Sequence, residues 1–132
     1  MITIYVTHLN HISEPKRLYE WYNIQNLMMT NRYFILGDFN ALTKSDYSEK
    51  EWRDIKTVRE NDNWELPVED LTLEIKKQYH DCLAEKGIIK NTSRFDTRID
   101  YIYTKSIDMV INTEVIDIDI SDHKPVICDI VI

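Results

Sequence analysis

Asp38 and Asn40 stand two residues apart, directly after the apolar run Tyr33-Phe34-Ile35-Leu36-Gly37. In extended backbone, residues at i and i+2 point the same way, so a carboxylate and an amide are presented together. Such a pair at the C-terminal end of a strand can hold a water, a divalent cation or a phosphoryl oxygen. Three further stretches put titratable groups beside apolar strand-like runs: His8 after Ile4-Tyr5-Val6-Thr7, Asp100 within Ile99-Asp100-Tyr101-Ile102, and Asp122-His123 before Lys124-Pro125-Val126. Each also has a plainer explanation. Gly-Asp and Asn after a strand make ordinary turns, and Ser121-Asp122-His123 reads as an Asx-type turn. His8 suits a structural hydrogen-bonding role, Asp100 suits a pair with Arg98 or a neighbouring strand, and Asp117 and Asp119 suit a solvated strand face.

The elements that must position these groups are legible in the periodicity. Ile2–Thr7 alternates with period two and is rich in β-branched residues, which predicts a strand. Ser13-Glu14-Pro15 is a helix start with a capping hydroxyl and a first-turn acid. Leu18, Trp21, Ile24 and Met28 then carry an amphipathic helix to about Met29. With the strand at Tyr33 this makes a parallel β-α-β unit, whose sites form at the C-terminal strand ends, where His8, Asp38 and Asn40 fall. Gly37 is expected to end its strand in a tight turn. Residues 41–68 form a long polar connection, within which Ser48-Glu49-Lys50-Glu51 is a capping box leading a short helix through Trp52, Ile55 and Val58. A second helix is predicted near Asp70–Glu85, with the stripe Leu71, Ile75, Tyr79, Cys82 and a cap at Gly87. Strands are predicted over Arg98–Tyr103, within Met109–Ile120 and over Pro125–Ile132. The Met109–Ile120 segment should place Ile116, Ile118 and Ile120 on one face.

Composition bounds the function classes. A chain of 132 residues with 43% apolar and 30% charged residues is one domain with a real core and no low-complexity tract. No apolar run is long enough to span a bilayer and the N-terminus carries no signal-peptide pattern, so no membrane span is expected. Asn91-Thr92-Ser93 is formally a glycosylation sequon, discounted for the same reason. Cys82 and Cys128 lack metal-ligand spacing and read as buried free thiols, consistent with an intracellular, cytoplasmic or nuclear setting. A net charge of −7 argues against broad counterion-release binding to nucleic acid but not against a phosphate substrate, because a bound cation dominates the local field.

Four stretches occur in order: Thr7-His8-Leu9, Gly37-Asp38-Phe39-Asn40, Arg98-Ile99-Asp100-Tyr101-Ile102, and Ser121-Asp122-His123-Lys124-Pro125-Val126. Thr92-Ser93-Arg94-Phe95-Asp96 leads into the third. This series resembles the endonuclease/exonuclease/phosphatase superfamily, the deoxyribonuclease-I-like fold, and covers the C-terminal half of that domain. The resemblance implies a metal-dependent phosphoester hydrolase, a phosphodiesterase, nuclease or phosphatase using Mg²⁺ or Mn²⁺. Asp38 would orient or deprotonate the attacking water, and Asn40 would hold it and a phosphoryl oxygen. The metal ligands implied are Asp38, Asn40 and Asp122. His123 would stabilise charge on the pentacovalent phosphate, Asp100 would accept its other ring proton, and His8 would donate to a phosphate oxygen from the other side. His8, Asn40 and His123 thus make up the implied phosphate-binding set. Nucleic acid, lipid and inositol phosphates all remain open as substrates.

Members of that family begin with a strand carrying an asparagine, then a strand bearing a metal-binding glutamate, and neither has a counterpart here. The expectation is therefore a single domain over residues 1–132, N-terminally truncated: a partial α/β sandwich with a mixed sheet and helices on one face. The inner face would be lined by Ile2, Ile4, Val6, Ile35, Ile99, Val126 and Ile130, left short of cover. The alternative is a non-catalytic half-domain, an interaction module that self-associates or needs a complementing N-terminal half.

Overall fold

The computed structural model describes residues 1–28 and 32–132. Strand β1 (Thr3–His8) and strand β2 (Tyr33–Asp38) pair in parallel, from Thr3 opposite Tyr33 to His8 opposite Asp38. Helix α1 (Glu14–Leu27) connects them, so the predicted β-α-β unit is present. Ser13 makes no side-chain cap bond, contrary to expectation. Asn10 Oδ1 instead accepts the backbone N–H groups of Ile12 and Ser13. The stretch around Met29 lies outside the described residues.

Strand β3 (His80–Asp81) and strand β4 (Asp100–Thr104) complete a mixed sheet of order β1-β2-β4-β3, in which β4 is antiparallel to both neighbours. A separate antiparallel pair, β5 (Val110–Val115) with β6 (Val126–Ile130), forms a second small sheet. The class is mixed α/β.

Period two sorts the sheet's side chains into two cores. Tyr33, Ile35, Tyr101 and Tyr103 face α1 and helix α3 (Asp70–Lys76), meeting Trp21, Phe39, Leu71, Ile75 and Tyr79. This core is aromatic: Trp21 meets Tyr79 edge to face at 5.4 Å, and Tyr101 stacks on Tyr103 at 5.3 Å. Phe34, Leu36 and Ile102 face the other way, toward Val110, Val115, Val126, Cys128 and Ile130 of the β5–β6 pair. Ile35 thus belongs to the helical side, not to the face shared by Ile4 and Val6. The parallel register puts Phe34 beside Ile4 and Leu36 beside Val6. The short helix α4 (Cys82–Glu85) contributes Cys82 and Leu83 to this second core, so the helices do not all lie on one face. Cys82 is fully buried there and Cys128 half-buried.

The predicted helix over 70–85 is broken. Its stripe is buried as expected at Leu71, Ile75, Tyr79 and Cys82. However, His80–Asp81 pairs with β4, and Asp81 then caps α4 by accepting the Ala84 N–H at 3.3 Å. Sheet pairing overrides a weak local preference. The predicted strand over Met109–Ile120 ends at Val115. Ile116 donates to the Pro125 carbonyl at 2.9 Å, but Pro125 has no N–H to return, and the ladder stops. Ile118 and Ile120 are exposed as a result.

The 41–68 connection holds helix α2 (Glu49–Asn61), opened by the predicted capping box. Ser48 Oγ accepts the Glu51 N–H at 3.1 Å and the Glu51 carboxylate accepts the Ser48 N–H at 3.3 Å. The end of this connection is locked to α1. Glu65 takes the Glu14 N–H and the Arg17 guanidinium, while Glu14 Oε1 accepts the Leu71 N–H at 2.6 Å. Glu14 therefore caps the start of α3 from another helix. The sequence suggested only a first-turn acid.

Candidate functional site

The site lies where β1, β2 and β4 reach the same edge of the sheet. β2 does not turn at Gly37 but runs through it to Asp38, with Gly37 at φ +140°. A Cβ at Gly37 would lie 1.9 Å from the Thr7 carbonyl oxygen, so glycine alone lets β1 and β2 stay paired there. The register then sets His8 opposite Asp38, and Asp38 opposite Asp100. Three chain segments thereby deliver their polar side chains to one place.

Asp38 Oδ1 accepts the Asn40 N–H at 2.8 Å, which closes a tight loop and holds Asn40 in a left-handed conformation. Asn40 Nδ2 in turn donates to the Leu9 carbonyl at 2.8 Å. Asp38 Oδ2 is left between two imidazoles, 3.5 Å from His8 Nε2 and 3.7 Å from His123 Nε2. Both separations are long for direct hydrogen bonds and leave the carboxylate open to a water or another ligand. His123 Nδ1 meets Asp100 Oδ2 at 2.9 Å, so His123 is gripped on its far side. Asp100 does not pair with Arg98. Thr92 Oγ1 accepts the Ile99 and Asp100 N–H groups and fixes that carboxylate's backbone.

The electrostatics follow from this packing. Burial raises the Asp38 pKa above the usual 3.8, opposed by the Asn40 N–H and reinforced by the neighbouring Asp100 charge. For His123, partial burial works against the imidazolium. The Asp100 hydrogen bond and charge, with Asp38 and Asp122, outweigh it and hold the pKa above 6.5. Both shifts run the same way, toward the protonated form of the carboxylate and of the imidazole.

Asp38, Asp100 and His123 offer donor atoms all within 4.8 Å of one another. Asp122 is not in that group. Its side chain is exposed, it takes a hydrogen bond from Ser121 Oγ at 3.2 Å, and its carbonyl accepts the Arg94 N–H at 3.0 Å. It does share the wall of a cleft of ≈ 1050 Å³ with Asn40 and His123. His8, Asp38, Asn40, Asp100 and His123 gather at this end of the strands, whereas the Asp122 carboxylate, an expected metal ligand, lies outside the group of Asp38, Asp100 and His123 and shares only the cleft lining with Asn40 and His123.

Sequence reasoning missed the supports. Arg98 is buried and grips Asp46 with two nitrogens, at 2.7 and 3.1 Å, and lies 2.8 Å from Asp81. Its backbone N–H donates to Tyr47 Oη at 2.8 Å, binding β4's approach to the 41–68 connection. The sequence shows an arginine two residues before Asp100, and nothing local points to partners about fifty residues upstream. Compared with known proteins, the chain matches no family model and no curated sequence. Among the described residues, no helix is long and apolar enough to cross a membrane.

Proposed function

We propose that this chain is a phosphoester hydrolase domain related to the deoxyribonuclease-I-like family, acting with Mg²⁺ or Mn²⁺. The observation that carries the reading is the Asp38 carboxylate set between His8 and His123, with Asp100 behind His123, and with His123 and Asn40 lining a cleft. Carboxylate and amide oxygens form a donor set that suits a hard divalent cation, with both imidazoles kept as hydrogen-bond donors. The residues that would hold the cation are those the resemblance implies, Asp38 with Asn40 and Asp122, since Asp100 is committed to His123. When bound, the cation supplies charge neutralisation at the phosphoryl oxygens.

The chain's own groups then divide the work. Asp38 orients the attacking water and takes its proton. Asn40 fixes the geometry of Asp38 through its backbone N–H. His123, kept protonated by Asp100, donates from Nε2 to an oxygen of the phosphoryl group as negative charge builds there. His8, largely exposed, donates from the opposite side.

The test is hydrolysis of bis(p-nitrophenyl) phosphate with Mg²⁺ or Mn²⁺ against an EDTA control. Asp38→Asn and His123→Ala should each cut kcat about 100-fold or more. Metal-independent turnover, or turnover that His123→Ala leaves intact, overturns the reading.

A second reading has its own observation. Ile4 and Val6 of the edge strand β1 are 57% and 75% exposed, beyond the reach of the β5–β6 pair. That favours a module that associates through β1, with the polar edge as a passive relic. An inactive chain that is recovered only as an oligomer would decide for it.

A further inference from the structure

The cleft beside His123 has a second wall that the hydrolytic groups leave unexplained. Trp64 and Phe95 stand on it, each about half exposed although large and aromatic. Their rings meet edge to face at 5.1 Å, and the Arg94 guanidinium lies 4.7 Å from the centre of Phe95. Two such rings held open to solvent in a concave site present ring faces for a ligand.

Both rings come preset. The segment carrying Arg94 and Phe95 is clamped to residues 122–124, with Arg94 N–H to the Asp122 carbonyl at 3.0 Å and Lys124 N–H to the Thr92 carbonyl at 2.7 Å. Ser93 Oγ accepts the Phe95 N–H at 3.1 Å and shapes the turn that presents the ring. Trp64 is held by its N–H to the Arg59 carbonyl at 2.8 Å, and the next residue, Glu65, is anchored to α1. The rings and His123 line the same cleft, on segments joined by these hydrogen bonds.

We propose that Trp64, Phe95 and Arg94 form a stacking subsite for a planar heteroaromatic group of the phosphoester, so that the substrate is a single nucleotide or a short unpaired strand. This rests on the hydrolase reading above. Stacking on aromatic and guanidinium faces takes an unpaired base and no base inside a duplex. A net charge of −7 offers no extended track for a duplex backbone, and ≈ 1050 Å³ is room for about one nucleotide and its immediate neighbour. The three residues act as specificity determinants and touch no reacting atom.

The experiment compares two p-nitrophenyl phosphodiesters, thymidine 5′-(p-nitrophenyl phosphate) and methyl p-nitrophenyl phosphate, with equilibrium binding of thymidine 3′,5′-bisphosphate as an arm independent of turnover. The nucleotide ester should be preferred. Trp64→Ala should lower that preference about 5- to 100-fold, through KM rather than kcat. Trp64→Phe should keep most of it, which separates stacking from a general packing defect, and Phe95→Leu should act as Trp64→Ala does. Bisphosphate binding that Trp64→Ala weakens, in a chain that hydrolyses neither ester, sinks the hydrolase reading and leaves the subsite standing. Equal turnover of both esters, indifferent to Trp64→Ala, sinks the subsite and leaves the hydrolase. A preference for an inositol p-nitrophenyl phosphodiester over the nucleotide ester, or for duplex over single-stranded oligonucleotide, also overturns the proposal.

Discussion

Asp38 and His123 both have raised pKa values, and together they fix how the site responds to pH. Activity on the proposed mechanism needs Asp38 ionised and His123 protonated, so the rate should follow a bell. Its alkaline limb, set by His123, should lie above 6.5. Asp100→Asn removes the charge that favours the imidazolium, and the alkaline limb should move to lower pH. An unmoved limb in the pH–rate profile of that variant rejects Asp100 as the partner that sets it. The stability consequence has a definite sign. A raised folded-state pKa contributes stability that is complete below the unfolded value and disappears as pH rises through the folded one. For His123 that loss begins near pH 6.5, and for Asp38 near pH 3.8, where unfolding lets an uncomfortable carboxylate ionise in water. Asp38→Asn should therefore raise the melting temperature at pH 7 while abolishing turnover, since an asparagine side-chain oxygen can still accept the Asn40 N–H. A lower melting temperature would show that burial does not penalise the carboxylate.

At the scale of elements, the Arg98 cluster joins β4, the turn at Lys44–Asp46 and β3. All three charged side chains are almost wholly buried. Removing the one cation leaves two carboxylates without a counter-charge, which costs about 3–5 kcal/mol when a buried pair is broken. Arg98→Met should lose stability of that order in urea unfolding. Adding Asp46→Asn and Asp81→Asn to the same chain should recover most of it, because the penalty belongs to the orphaned charges. If the triple variant is no more stable than Arg98→Met, the loss is one of packing: the guanidinium also sits 4.5 Å from the Tyr101 ring centre.

For the whole molecule, the two faces of the main sheet are unequally covered. The helical face is closed by α1 and α3 over an aromatic core. The opposite face is covered over β2 and β4 by the β5–β6 pair and exposes Ile4 and Val6 at the β1 edge. An alternating edge strand with apolar side chains and no neighbour is a template for pairing. The expected outcome is concentration-dependent association in sedimentation velocity, removed by Ile4→Lys with Val6→Lys. A single monomeric boundary at micromolar concentration would show that the β5–β6 cover is enough.

Much of this was legible because it is local. The β-α-β unit follows from a period-two run, a period-3.6 stripe and another apolar run. The α2 capping box is four residues long, and His8, Asp38, Asn40 and Asp100 each sit within two residues of a strand end. The places where the sequence misled depend on partners far along the chain. Residues 70–85 keep their apolar stripe in either conformation, so only pairing of His80–Asp81 with β4 and the pull of Arg98 break the helix. Alternation carries Ile116–Ile120 as a strand, but the ladder needs a donor that Pro125 lacks. Ile35 faces away from Ile4 and Val6, because period two gives alternation and not its phase, which the register with β1 supplies. The same holds for the site. The sequence determined which residues have the right chemistry and that they lie at element ends. Asp100 behind His123 is what the resemblance already implied; the tertiary structure decided that Asp122 stays outside the group of Asp38, Asp100 and His123, and that Trp64 and Phe95 meet across about thirty residues, since side-chain contacts between distant segments are fixed by sheet order and packing.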